Sequence, residues 1–400
     1  IASFAADDLY VSPGTSVTLD WLDSEADTLT LDPGGIDVTG TSSTSVTPGA
    51  TTTYTLSAEN ADGTTTRTLR ISVGPPRPNI LLFLVDDMGW QDTSEPFHFG
   101  TNGQPITSAL NNRYRTPNME TLADRGMKFM SAYSLPVCTP SRVSLMTGLN
   151  SARHRVTNWT ELTAQNTKQN SSPSHNGPLG WRNGGLQEGL PTLPGLLSEA
   201  GYRTIHCGKA HFGNTPYARE PENIGFDINI GGAAGGRPAS YLGDYGQGTG
   251  LAIPDLEAYH NTGTHLTEAL TLEMKQAIAD AVDTGAPFFA YMAHYAVHSP
   301  FEVDERFRAN YPSLSGGGLA YATLIEGMDK SLGDILARLD ALGVAEDTLV
   351  VFMSDNGGDA PFPNVNDSNA PLRHKKGSQY EGGIREPLII SWAQRDGTNE

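Results

Sequence analysis

Only two cysteines occur in 400 residues, Cys138 and Cys207. A secreted domain stapled by disulfides carries more, so a single bridge and two lone thiols both stay open. Basic residues are also scarce. The 26 Lys and Arg face 45 Asp and Glu, for a formal net charge of −19. That balance argues against nucleic acid as a partner, and it repels a polyanion at long range. An anionic ligand must therefore meet cations gathered locally. No apolar run reaches the roughly 18 residues of a membrane-spanning helix. The chain opens on Ile1 without Met and shows no signal peptide, as expected of a mature or trimmed chain.

What is present points to two or three domains, since 400 residues exceed one ordinary domain. Residues 1–75 are rich in Thr, Ser, Gly and Val. Short alternating runs (Ser16 to Trp21, Thr53 to Ala58, Thr68 to Val73) are separated by Pro-Gly and Asp-Gly turns. Period-two alternation of this kind reads as an antiparallel β-sandwich with Trp21 in its core. The Thr52 to Leu56 stretch, followed by Ala58 to Gly63, resembles bacterial immunoglobulin-like modules, with carbohydrate binding as a lesser alternative to a spacer role. Gly74 to Pro78, with three prolines, reads as a stiff linker.

After the linker the pattern changes. Asn79 to Val85 is a continuous apolar run of the type buried on both faces of a parallel sheet. Pro287 to Met292 and Thr348 to Met353 read as further strands. Helical spacing runs through Pro117 to Met130, Leu193 to Ala200, Leu266 to Val282 and Leu324 to Leu342. Alternating strands and helices imply an α/β layered fold with a mostly parallel sheet over residues 76–400. Ser171 to Gly185 and Gly231 to Gly250 read as surface loops.

Asp86-Asp87 follows the first apolar strand and Asp355-Asn356 follows the strand ending at Ser354. Both pairs thus lie just past strand C-termini, the edge where open α/β sheets bind ligands. Taken singly, each pair could be turn or cap residues. Together they would repel without a cation, and their hard oxygens suit Ca²⁺ or Mg²⁺. Cys138 precedes Pro140 at the start of a predicted helix, where backbone N–H groups favour an anion. Arg142 lies one turn on, on the same face. Residue type alone leaves Cys138 open as a buried small side chain or a thiolate nucleophile. Lys209 and His211 alternate on an extended segment and so share a face. Taken singly, Lys209, His211 and Lys376 read as surface residues and His298 as a packed histidine. Cys207 reads as a buried strand residue.

Cys138-Thr-Pro-Ser-Arg142 resembles the motif by which type I sulfatases mark a cysteine for oxidation to formylglycine. Six further segments agree in order: Asn79 to Gly89, Thr116 to Gly126, Gly208 to Gly213 with Gly225 to Asp227, His294 to Pro300, Ser354 to Gly358, and Lys376-Gly377 with Glu381 to Pro387. The resemblance covers residues 77–392 and implies an alkaline-phosphatase-like sulfatase fold. It implies that a maturation enzyme converts Cys138 to formylglycine, whose hydrate attacks the ester sulfur. It further implies a divalent cation, Ca²⁺ by preference, on Asp86, Asp87, Asp355, Asn356 and position 138. Lys209, His298 and Lys376 would bind and neutralise the sulfate, and His298 or a lysine would protonate the leaving alcohol. Arg142 and His211 would hold the second hydroxyl, whose deprotonation expels sulfate.

Two departures stand out. The family continues past Trp392 into a smaller antiparallel subdomain, which is expected to be absent or trimmed here. His374 and Lys375 replace small residues and are expected either to contact an anionic polymer or to be solvated. The resemblance implies a periplasmic or extracellular enzyme for a sulfated carbohydrate, with a lean to galactose- or N-acetylgalactosamine-type sulfates. A phosphoesterase or phosphonate monoester hydrolase on the same scaffold and a silent glycan-binding protein are the alternatives.

Overall fold

The computed structural model describes residues 1–22, 26–74, 77–160, 180–181, 184–360 and 367–395. The chain divides into two compact units, Ile1–Arg77 and Pro78–Glu400. Most of the expected Ser171 to Gly185 loop, and Pro75-Pro76 of the expected linker, lie outside the described residues.

The first unit is all β. One sheet joins strands Ser3–Ala6, Val17–Leu22 and Ser43–Val46. A second joins Tyr10–Val11, Thr28–Asp32, Ile36–Asp37, Thr52–Asn60 and Gly63–Val73. Alternate residues from both sheets meet in one apolar cluster: Val17, Leu19 and Trp21 from the first, Leu29, Leu31 and Leu56 from the second. The alternation therefore does what the pleat dictates, placing every second side chain inside. Trp21 is buried, and its indole N–H donates to Thr41 O at 2.9 Å.

The second unit is a helix–sheet–helix sandwich. Its strands are β1 (Asn79–Val85), β2 (Met127–Tyr133), β3 (Arg203–Gly208), β4 (Ile228–Ile230), β5 (Phe288–Ala293), β6 (Thr348–Ser354) and β7 (Arg385–Trp392). The principal helices are α1 (Pro117–Arg125), α2 (Cys138–Thr147), α3 (Leu193–Glu199), α4 (Leu266–Asp283) and α5 (Gly316–Ala341). The sheet order is β2-β7-β6-β1-β5-β3-β4. Strands β6, β1, β5, β3 and β4 are parallel, while β7 runs antiparallel to β6 and β2 antiparallel to β7. Leu81, Phe83 and Val85 of β1 face one core with Met274 of α4 and Leu332 of α5. Leu82 and Leu84 face the other with Val143 and Met146 of α2. Burial on both faces is why β1 is apolar at every position from Ile80 to Val85.

Three local expectations are corrected. The helical spacing through Met130 breaks at Arg125, because Gly126 is extended (φ −124, ψ −154) and Met127 to Phe129 pair with β7. A Cβ on Gly126 would lie 2.4 Å from Ile390 O, so glycine permits the close approach to β7. Helix α5 starts at Gly316, not Leu324, because tertiary burial of Leu319, Tyr321 and Ala322 overrides three weak glycine formers. The Gly231 to Gly250 stretch is irregular, yet Tyr241 and Tyr245 are fully buried. Both cysteines are free and buried, so the bridge alternative falls. Among the described residues no helix is long and apolar enough to cross a membrane.

Candidate active site

Register explains how residues far apart in sequence converge. In the parallel pair β1–β6, Val85 sits opposite Ser354. Asp86 and Asp355 therefore leave adjacent strands side by side. On the other side of β1, Leu84 pairs with Ala293 of β5, and Ala293 with Gly208 of β3. Lys209 follows Gly208 and emerges on the same edge. The strand order β6-β1-β5-β3 thus gathers four segments at one carboxyl edge.

The loop after β1 is held tightly. Asp87 has φ 63. Its N–H donates to Asp355 Oδ1 at 3.2 Å, Met88 N–H to Ser354 Oγ at 3.0 Å, and Gly89 N–H to Asp92 Oδ2 at 2.9 Å. Tyr321 of α5 donates its hydroxyl to the same Asp92 oxygen at 2.7 Å. A Cβ on Gly358 would stand 2.8 Å from Gly89 Cα. The two acid motifs end in glycine because their backbones pack on each other.

Helix α2 brings in Cys138 at its first turn, and no side chain caps its start. Ser141 Oγ instead braces the entry, accepting from Leu135 N–H at 3.0 Å. Arg142 is fully buried and ties three strand ends together. Its Nε–H donates to Asp355 Oδ2 at 2.9 Å and its Nη1–H to Lys209 O at 2.7 Å, while Nη2 lies 3.7 Å from Asp86 Oδ1. Cys138 Sγ lies 3.9 Å from Asp87 Oδ1.

The cations are placed against the acids. Lys209 Nζ donates to Asp86 Oδ2 at 2.6 Å, and Lys376 Nζ to Asp87 Oδ2 at 2.6 Å. His298 Nε2 lies 3.4 Å from Asp87 Oδ2, while its Nδ1 is 2.9 Å from Ser299 O. The Nδ1–H therefore donates to that carbonyl and leaves Nε2 toward the pocket. Strand β3 ends at Gly208, so the expected strand alternation of Lys209 and His211 does not exist. His211 has φ 49, and its Nε2 lies 3.1 Å from Thr160 O and 3.3 Å from Thr139 Oγ1.

Electrostatics follow from this crowding. Burial pushes the Asp86 carboxyl up to about 8, and the charges of Asp355 and Asp87 add to the rise against Lys209. Burial also raises Asp87, but Lys376, His298 and Lys209 outweigh it and hold that carboxyl well below the usual range. Burial lowers the Lys376 ammonium, and Asp87 overrides this and keeps it firmly charged. Burial brings His298 down to about 4, partly offset by Asp87. His211 is also held well below its ordinary range, by burial and then by Lys209. The Cys138 thiol is pushed up to about 12 by burial, so it is not a thiolate nucleophile at neutral pH.

The donor set fits a divalent cation. One ligand atom each from Asp86, Asp87, Cys138 and Asp355 lies within 4.8 Å of the others. Asp86 Oδ1 and Asn356 Oδ1 are buried and accept no hydrogen bond. Orphaned buried oxygens of this kind need a partner. Sulfur is the odd member of the set. An oxygen function at position 138 would make it all hard oxygen, the set that suits Ca²⁺ or Mg²⁺.

The sulfatase family model matches residues 78–398. The chain belongs to the sulfatase family. The chain is 33% identical over 339 residues to N-acetylgalactosamine-6-sulfatase of Mus musculus, covering 80% of this chain and 59% of that protein. It is 29% identical over 369 residues to a sulfatase of Formosa agariphila, covering 79% and 63%. Among solved structures, Ps i-CgsB in complex with k-i-k-neocarrahexaose superposes with a TM-score of 0.62 at 28% identity, covering 79% of this chain and 66% of that one. The chain thus spans about three fifths of the length of these two curated relatives.

Other sequence-derived candidates fall outside the cluster. His374 stacks on Tyr380, with ring centroids 4.8 Å apart, and Lys375 pairs with Asp359. Sequence reading missed Asp92 and Tyr321, which hold the Asp87 loop. It also missed Trp159 and Arg237, which line the pocket over Cys138. For Asp92 a signal existed: a third acid five residues after Asp87, inside an otherwise buried segment. Nothing local marks the other three.

Proposed function

We propose that this sulfatase hydrolyses sulfate esters of a carbohydrate, with a preference for N-acetylgalactosamine- or galactose-type sulfate. The observation that carries the reading is the convergence of Asp86, Asp87, Asp355 and Cys138 beneath Lys209, Lys376 and His298. The mouse relative's name supports the sugar. The preferred ion is Ca²⁺, with Mg²⁺ as the substitute, held by Asp86, Asp87, Asp355, Asn356 and position 138.

Formylglycine at position 138, made by a maturation enzyme, supplies as its hydrate the nucleophile that the raised thiol cannot. The cation, when bound, neutralises acid charge and acts as a Lewis acid on the sulfate. The chain's own residues do the rest. Lys209 and Lys376 are pre-oriented by Asp86 and Asp87, so little reorganisation is needed as charge grows on the transferring group. His298 is held by Ser299 O through Nδ1, which turns Nε2 toward the pocket, and the proton for the leaving oxygen comes either from Nε2 once the ring is charged beside the sulfate or from a neighbouring lysine. Arg142 fixes the spacing of the strand ends and so positions both acids. His211 stays neutral and can exchange a proton with the second hydroxyl at position 138. We leave His374 and Lys375 out of this site, since each is engaged within the chain.

Residues 1–77 are proposed to be an immunoglobulin-like spacer, supported by their two sheets around one core. A periplasmic or extracellular location fits a polymer-borne substrate. The test is turnover of an aryl sulfate together with peptide mass spectrometry. Active protein should carry a residue 138 about 18 Da lighter than cysteine. Full activity with cysteine intact at 138 would sink the nucleophile assignment.

A further inference from the structure

The pocket over Cys138 has a volume of about 390 Å³, toward the small end of the roughly 300–1,000 Å³ of small-ligand sites. Its floor carries Lys376, His298 and His211. Its wall is completed by Trp159 and Arg237, both exposed, and by Leu251. No carboxylate lines it among the described residues.

Arg237 differs from the site's other cations. Arg142, Lys209 and Lys376 each pair with a carboxylate of the acid cluster. Arg237 is exposed and has no ion pair, hydrogen bond or ring contact among the described residues. In a chain of net charge −19, a guanidinium left free on a pocket wall is an anion receptor with its donors still available.

Its position is built rather than loose. Next to it, Gly236 lies against the His211 ring, where an added Cβ would stand 2.6 Å from Cε1. Three residues on, Ser240 Oγ donates to Glu302 Oε2 at 2.9 Å. Buried Tyr241 then donates its hydroxyl to Tyr295 O at 2.7 Å and His298 O at 2.8 Å. Trp159 is 48% exposed. It is followed by Thr160, whose N–H donates to Thr139 Oγ1 at 3.1 Å and whose carbonyl contacts His211. Both wall residues are therefore anchored to the surroundings of one histidine.

We propose that Trp159 and Arg237 form a leaving-group subsite for a sugar that bears a second anionic group besides the sulfate removed. This rests on the reading of the floor as a sulfate-ester site. The indole face stacks on the apolar face of the sugar ring. The guanidinium takes the second charge, either a second sulfate on the same ring or the carboxylate of an adjoining uronate. The floor cations already face the sulfate at the reacting centre, so the wall cation is free for the other group.

Calorimetric titration of the full chain carrying Cys138→Ala separates this subsite from turnover. The probes are N-acetylgalactosamine 6-sulfate, its 4,6-disulfate, and the uronate-linked disaccharide of the 6-sulfate. At least one doubly charged probe should bind about 10-fold or more tighter than the single one, the scale of a charged hydrogen-bond pair. Arg237→Ala should erase that ratio, Arg237→Lys should restore part of it, and Trp159→Ala should weaken all three probes. Which doubly charged probe gains identifies the source of the second charge. Equal affinity for all probes in the parent, or an unchanged ratio in a folded Arg237→Ala protein, overturns the subsite. Absence of aryl sulfate turnover in aldehyde-bearing protein would instead overturn the hydrolase reading, and the binding ratio would still judge Arg237.

Discussion

Two neighbouring lysines make opposite predictions. Lys376 Nζ sits 2.6 Å from Asp87 Oδ2, and its side chain is 15% exposed. It faces the pocket beside Cys138 and is held charged by Asp87. Removing one preorganised donor from such a site costs about 2.7–4 kcal/mol of transition-state stabilisation. Lys376→Ala should therefore lower kcat on an aryl sulfate by roughly 100- to 1,000-fold. Lys375 pairs with Asp359 where both side chains are more than a third exposed. Exposed pairs contribute about 0–1 kcal/mol, so Lys375→Ala should change kcat by less than about 5-fold. Steady-state kinetics on both variants, with circular dichroism to confirm folding, reads the contrast. Near-normal turnover in Lys376→Ala with loss in Lys375→Ala would refute the assignment of this segment.

Asp355→Ala should abolish turnover and lower bound divalent metal, read by elemental analysis; full activity in thoroughly chelated protein would contradict the cation site. His206 is fully buried among Phe212, Phe226 and Tyr291, and burial lowers it to about 3. Its folded pKa lies below its unfolded value of about 6.5. The unfolded chain therefore binds the extra proton, and the stability at stake is whole above that pH and lost as pH falls toward about 3. His206→Phe should accordingly lose less stability than the parent between about pH 6.5 and pH 4 in urea unfolding, and parallel curves would count against the argument. Deleting residues 1–77 should leave aryl sulfate turnover largely intact, and its collapse with the remaining unit folded would mean that the first unit shapes the site.

The sequence by itself determined the elements whose causes are local. Continuous apolar runs marked β1, β5 and β6 as strands, β1 as one buried on both faces, and apolar periodicity marked α4. The acids at the ends of β1 and β6, and Cys138 before Pro140, were legible because strand ends and helix starts have short-range signatures. Period-two alternation placed Trp21 inside the first unit. Tertiary structure decided whatever depended on pairing between distant segments. Met127 to Phe129 became strand because β7 offered an edge, not because their own spacing asked for it. Lys209 and His211 entered the site through a turn after Gly208, where strand periodicity no longer applies. Lys375 and Lys376 are alike in sequence, and only the placement of Asp359 and Asp87 separates them. Tyr321, Trp159 and Arg237 carry no local signal, since their roles depend on segments distant in sequence, Tyr321 reaching Asp92 across 229 positions. A side chain's role here is set by the charge and space around it, and that environment exists only once the strands are in register.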